Sequence, residues 1–151
     1  MAVTRDRPYS NSNFLVDFGW GDSRSVTMGF AEVIFPPFTV DDTQLRQDEL
    51  MAIQGIGTTE KAVDNHIILK RGLIGNLDLY DWWNKARRGK APKRRTTMKI
   101  ELLSEDQSTV VLTWRFRNVR PVSLFYSPLR AIEGGIVMET VVLAFDSMEM
   151  S

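Results

Sequence analysis

The sequence predicts a mainly β domain, a barrel or sandwich of antiparallel strands with one flanking α-helix. Three observations carry this. Several stretches alternate apolar and polar residues with period two, the pattern of a strand with one buried face. One short segment has helical spacing between a start and a stop signal. The chain has 151 residues and no cysteine, so one packed core of ordinary single-domain size must hold it without disulfides.

In chain order, residues 1–12 are polar and charged and read as a flexible or interface-forming N-terminal segment of the single domain 1–151. Their charges have no apolar core behind them, which excludes a signal peptide. No apolar run approaches the ~18 residues of a membrane span. The expectation is a chain synthesised in the cytoplasm and not inserted into a membrane. The first strand lies in 13–20, with Phe14, Val16, Phe18 and Trp20 on one face. A second lies in 26–35 and ends at Pro36-Pro37, since neither proline can donate to a ladder. Residues 41–62 read as an arm rather than part of the domain body. The segment is polar at its start yet carries Leu45, Leu50, Met51, Ile53 and Ile56, which an isolated surface loop could not bury.

A strand in 63–70 leads to the helix. Asn76 is placed as N-cap, and Asp78 suits the positive end of the helix dipole. Leu79, Trp82, Trp83 and Ala86 form an apolar stripe expected to dock Trp83 on the barrel. Lys85, Arg87 and Arg88 fall at the negative end, and Gly89 supplies a left-handed stop. Met98, Ile100 and Leu102 then alternate with Lys99 and Glu101, and Ser104 to Gln107 form a hairpin connection. Val110, Leu112, Trp114 and Phe116 oppose Thr113, Arg115 and Arg117 in the next strand. Further strands are expected in 122–126 and 136–145, joined by a long turn over 127–135.

Chemistry is sparse. The single histidine, His66, lies in a strand pattern and excludes multi-histidine metal clusters. The Gly19 and Gly21 pair and the Gly55 and Gly57 pair are followed by no phosphate loop or dinucleotide fingerprint, and a turn or bulge explains both. No nucleophile-elbow motif occurs. The expectation is a protein that is not an enzyme, with no catalytic residues, no metal and no cofactor.

Charge is balanced at 19 acids and 19 bases but unevenly spread. Lys85, Arg87, Arg88, Lys90, Lys93, Arg94 and Arg95 form a run without an acid, whereas Asp41, Asp42, Asp48 and Glu49 cluster around one Arg46. Opposite patches on a neutral chain attract copies of that chain. These residues, with Leu45, Leu50 and Met51, are therefore the candidate subunit interface. Nucleic-acid binding through the run 85–95 is the alternative. Zero net charge and the lack of interleaved aromatics stand against it.

The segment Ile68-Leu69-Lys70-Arg71-Gly72-Leu73-Ile74-Gly75, followed by Leu77-Asp78-Leu79-Tyr80-Asp81-Trp82-Trp83, resembles a hallmark of tail tube proteins from contractile-tailed phages and phage-like injection systems. Four further stretches match in order: 8–16, 29–33, 113–122 and 138–143. The chain departs from the pattern after its second strand and at Phe145-Asp146-Ser147, where the family often has His-Glu-Gly. The resemblance implies a subunit that forms hexameric rings stacked head to tail around a lumen conducting DNA or a protein effector. It implies a contractile sheath protein, a baseplate or tube initiator, and tape-measure and terminator proteins as partners. Assembly would be into a virion tail or injection particle. A minor initiator or terminator ring shares the same fold and is the alternative within the family.

Overall fold

The stretches expected as strands become six antiparallel strands, and a seventh that the sequence did not suggest follows them, in a computed structural model that describes residues 2–20, 29–39, 65–90 and 96–151. They are β1 (Phe14–Asp17), β2 (Glu32–Ile34), β3 (His66–Gly72), β4 (Thr96–Leu103), β5 (Val110–Tyr126), β6 (Met138–Ala144) and β7 (Ser147–Met150), with helix α1 (Asp78–Arg87) between β3 and β4. Hydrogen bonding orders them β1-β4-β5-β6-β3-β2, and β7 pairs with β5. The expected arm, 41–62, lies outside the described residues.

β5 joins what alternation suggested were two strands. Its first half pairs with β4 and β7, and its second half with β6. The strand therefore passes from one sheet layer to the other. Asn118 supplies the turn with a positive φ of 54°, a conformation that asparagine tolerates better than most residues. Pro121, which has no N–H, sits at a register shift against β6. Asp146 braces the bend. Its carboxylate accepts hydrogen bonds from the Asn118 side chain and from Arg120, the latter at 3.0 Å, and its N–H donates to Arg117 O at 3.0 Å. Beside the bend the chain leaves β6 for β7, so both runs change layer together, as corners of packed sheets require.

Inward side chains of the two layers make the core. Ile67, Leu69, Val141 and Leu143 come from one layer and Val16, Met98, Ile100 and Phe116 from the other, all buried. Each such side chain contributes about 1.5–3 kcal/mol by leaving water. Aromatic rings tie the layers: Phe116 meets Phe145 edge-on at 4.8 Å between centroids, and Phe35, just beyond β2, lies 5.0 Å from Trp114. Pro36-Pro37 follow the end of β2 after Phe35, where a proline break was expected. The β4–β5 hairpin turns through 104–109, with Gln107 at φ 62°. Hydroxyls of Ser104 and Ser108 hold the Asp106 carboxyl down at about 2.

The helix ends as its sequence suggests. Gly89, at φ 68°, donates to Ala86 O, and Lys90 donates to Lys85 O, together a Schellman stop. At the start, the Asn76 side chain accepts from the Asp78 N–H at 2.8 Å, one position earlier than a standard N-cap, which falls at Leu77. The docking face differs from expectation. Leu79 and Trp82 are buried, while Trp83 is only half-buried. Trp82 lies 5.3 Å from Phe18 and 4.8 Å from Trp20. Trp83 turns instead toward Tyr80 and under the Arg87 guanidinium, 5.3 Å from its ring. The Phe18–Trp20 shelf therefore takes Trp82, and Trp83 packs on its own helix.

Trp82→Ala should therefore lower stability by about 3–5 kcal/mol. Trp83→Ala should cost roughly 0.5–1 kcal/mol, the value of an exposed cation–π contact. Thermal melts of the two variants beside the wild type check the order. Equal losses would mean that both rings carry the docking.

Candidate assembly surface

Arg71 continues the inward row of Ile67 and Leu69 on β3 and is itself 2% exposed. Its Nε donates to Glu139 Oε1 at 2.8 Å, and Glu139 is 1% exposed. On the far side of β6, Tyr126 donates its hydroxyl to Glu139 Oε2 at 2.9 Å. Strand register sets the three side by side, since Arg71 pairs with Glu139 and Glu139 with Tyr126. Arg71 also donates to Asn76 O just before α1 and lies 5.6 Å from the Phe30 ring centroid. One polar row thus binds three strands to the entry of the helix. Burial, and then the bond to Glu139, push the Tyr126 hydroxyl up to about 12. Arg71 and Glu139 are enclosed, while Tyr126 closes the row from an exposed position at 44%, and each bond in the row joins one strand to the next.

The surfaces around this frame are incomplete in three ways. First, Lys85, Arg87, Arg88 and Lys90 are all exposed at the end of α1, and among the described residues none forms an ion pair with an acid. They are the described part of the basic run. Lys93, Arg94 and Arg95 lie outside the described residues, as do Asp41, Asp42, Leu45, Asp48, Glu49, Leu50 and Met51. The structure therefore brings four predicted interface residues together and does not describe the proposed acidic counterpart.

Second, the β5–β6 connection, 127–137, holds Leu129, Ile132 and Ile136 at 83%, 98% and 78% exposure. Its base is fixed: Ser127 donates its N–H to Met138 O, Met138 donates to Ser127 Oγ, and Leu73 donates to Val137 O. Leu73, Ile74 and Leu77 are exposed as well, which is far more apolar surface than scattered single residues give. Sequence reasoning read this stretch only as a long turn. The signal was present in three large aliphatic residues between turn formers. Third, β1 and β2 each pair on one side only among the described residues, leaving open strand edges of the kind that recruit further chain.

The N-terminal segment lies along the hairpin. Val3 donates to Val111 O at 2.8 Å, and Arg5 makes a bidentate pair with Glu105, holding that carboxyl at about 2.

A two-layer β frame with an exposed aliphatic loop and, among the described residues, strand edges and a basic patch without partners defines a structural domain whose surfaces are suited to packing. The chain belongs to the T4-like virus tail tube protein gp19 family, whose model matches residues 10–149. No curated protein matches it. Among solved structures, a chain of the sheath–tube complex of the extracellular contractile injection system PVC, in its extended state, is 20% identical with a TM-score of 0.67, covering 95% of this chain and 91% of that one. The tube-terminating cap of the anti-feeding prophage is 18% identical at TM-score 0.70, with 100% and 95% covered. Hcp1 from Flavobacterium johnsoniae is 12% identical at TM-score 0.58, with 92% and 94% covered. At these identities the likeness is one of fold.

Arg71→Met alone should cost about 3–5 kcal/mol, because it strands the buried Glu139 charge. Arg71→Met with Glu139→Leu should cost much less, and urea melts of both check this. The raised Tyr126 value means that the neutral phenol is favoured in the fold. Its contribution is complete below the ordinary value of 10.0 and is lost as pH rises through about 12. An ultraviolet titration of the chain's three tyrosines should show one late step near 12, and Tyr126→Phe should remove it.

Proposed function

We propose that this chain is a subunit of the inner tube of a contractile phage tail or phage-like injection system. Six copies form a ring, and rings stack head to tail around a lumen. The observation that carries this reading is the tail tube family match over nearly the whole chain, and the uncovered apolar loop and open edges agree with it. The partners that follow are the chain itself, a contractile sheath protein and a baseplate or initiator at one end. Tape-measure and terminator proteins set the tube's length and far end, and DNA or a protein effector is the cargo. The subunit is synthesised in the cytoplasm and acts in the assembled particle. It does no chemistry, and the buried Arg71–Glu139 pair serves the frame.

A second reading is supported by the likeness to the anti-feeding prophage cap: a single ring that ends a tube. Negative-stain microscopy of the purified protein separates the two. Stacked tubes identify the main subunit, isolated rings that never stack identify the terminator, and persistent monomers overturn both.

The arm 41–62 reaches a neighbouring subunit in this reading, and its acidic start meets the basic run 85–95 there. Exposed ion pairs contribute only ~0–1 kcal/mol each, so they set register while Leu45, Leu50 and Met51 supply affinity. The four exposed bases at the end of α1, which form no ion pair among the described residues, support that contact. Arg94→Glu with Arg95→Glu should slow assembly, measured by light scattering, and adding Asp48→Lys with Glu49→Lys should partly restore it. Assembly of the double reversal at the wild-type rate would show that the basic run is a solvated helix end.

A further inference from the structure

Between β1 and β2, whose outer edges have no partner strand among the described residues, lies a groove of about 510 Å³. Phe14, Ile100, Leu102 and Trp114 line it from one layer, and Val33 from the other, with Glu32 also in its wall. A space of this size accepts a drug-sized apolar ligand and hence two or three aliphatic side chains. The same molecule holds such side chains out into solvent. Leu129, Ile132 and Ile136 stand on the β5–β6 loop, and their exposure shows that they do not fill their own chain's groove. Groove and loop belong to distant parts of one strand: Trp114 lies near the start of β5, and the loop begins after Tyr126.

Charge matches as well. On the loop, Arg130 and Glu133 form only a loose exposed pair at 3.7 Å, and at the groove Glu32 and Lys70 do the same at 3.7 Å. The two pairs are complementary when one copy faces another, Arg130 toward Glu32 and Glu133 toward Lys70. An apolar projection and an apolar recess on different surfaces of one chain make a heterologous contact, which propagates from copy to copy.

We propose that the β5–β6 loop of one copy seats Leu129, Ile132 and Ile136 in the β1–β2 groove of the next, with Arg130 and Glu133 exchanging partners with Glu32 and Lys70. This inference rests on the tube reading and names a further contact by which copies join.

The chain has no cysteine, so engineered pairs report without background. Full-length Ile132→Cys with Glu32→Cys, treated with a short bis-maleimide under assembling conditions, should give a ladder of dimers, trimers and larger species on a denaturing gel. Dimers alone would indicate a symmetric loop-to-loop contact, and closure within one monomer would indicate that the loop reaches its own groove. Either result overturns the proposal. Because substitution in the groove could disturb folding, a surface pair gives the second test. Arg130→Glu should raise the concentration needed for assembly about tenfold or more, and Glu32→Arg in the same chain should lower it again. If the wild type forms rings or tubes while no ladder appears and Arg130→Glu assembles normally, this contact is wrong and the tube reading stands. If the wild type stays monomeric at every concentration, the tube reading falls and this contact with it.

Discussion

The ion pair between Arg71 and Glu139 is the constraint around which the rest of the domain is arranged. A guanidinium and a carboxylate, each almost fully enclosed, face one another across adjacent strands at 2.8 Å. Desolvation of two such charges is repaid only when geometry is good and the remaining polar atoms are bonded. The second Glu139 oxygen is taken by Tyr126, and Arg71 reaches the carbonyl before the helix. The row therefore specifies strand register as well as contact. A slip of one residue would turn Arg71 outward and place a different side chain against Glu139. Because Arg71 also meets Asn76, the same charge helps set where α1 leaves the sheet.

With that corner of the domain held, the opposite half depends on how β5 changes layer. Asn118 turns the strand, Pro121 interrupts its ladder, and Asp146 bonds across the bend to both Asn118 and Arg120. The passage of β6 into β7 runs beside it, so Phe145 arrives directly on Phe116. Here the departure at Phe145-Asp146-Ser147 finds its physical meaning, with Phe145 in the aromatic core and Asp146 bracing the bend.

The frame is finished inside and unfinished outside. Among the described residues its buried polar atoms are satisfied, aliphatic residues stand uncovered on a loop and two strand edges have no partner strand. A subunit that acts by joining copies of itself has this character. Rigidity fixes the relative placement of its contact surfaces, and the surfaces stay apolar or unpaired until a neighbour covers them.

The sequence by itself determined what depends on near neighbours. Alternation marked the strands, because side-chain direction has period two whatever the strand packs against. Gly89 and the basic last turn marked the helix end, and Pro36-Pro37 marked the end of β2. The motif around Lys70-Arg71-Gly72 pointed to the family. Tertiary structure alone decided the rest. Arg71 reads as a solvated charge in its own strand and is buried only because Glu139 lies opposite, 68 residues away. Trp82 and Trp83 are equivalent by helical spacing, and the shelf of Phe18 and Trp20 chooses between them. Two apparent strands became one because a bend can keep a strand continuous while reversing which layer it serves. The groove and the loop that matches it come from segments far apart in the chain, and such complementarity exists only after folding has set their distance and direction.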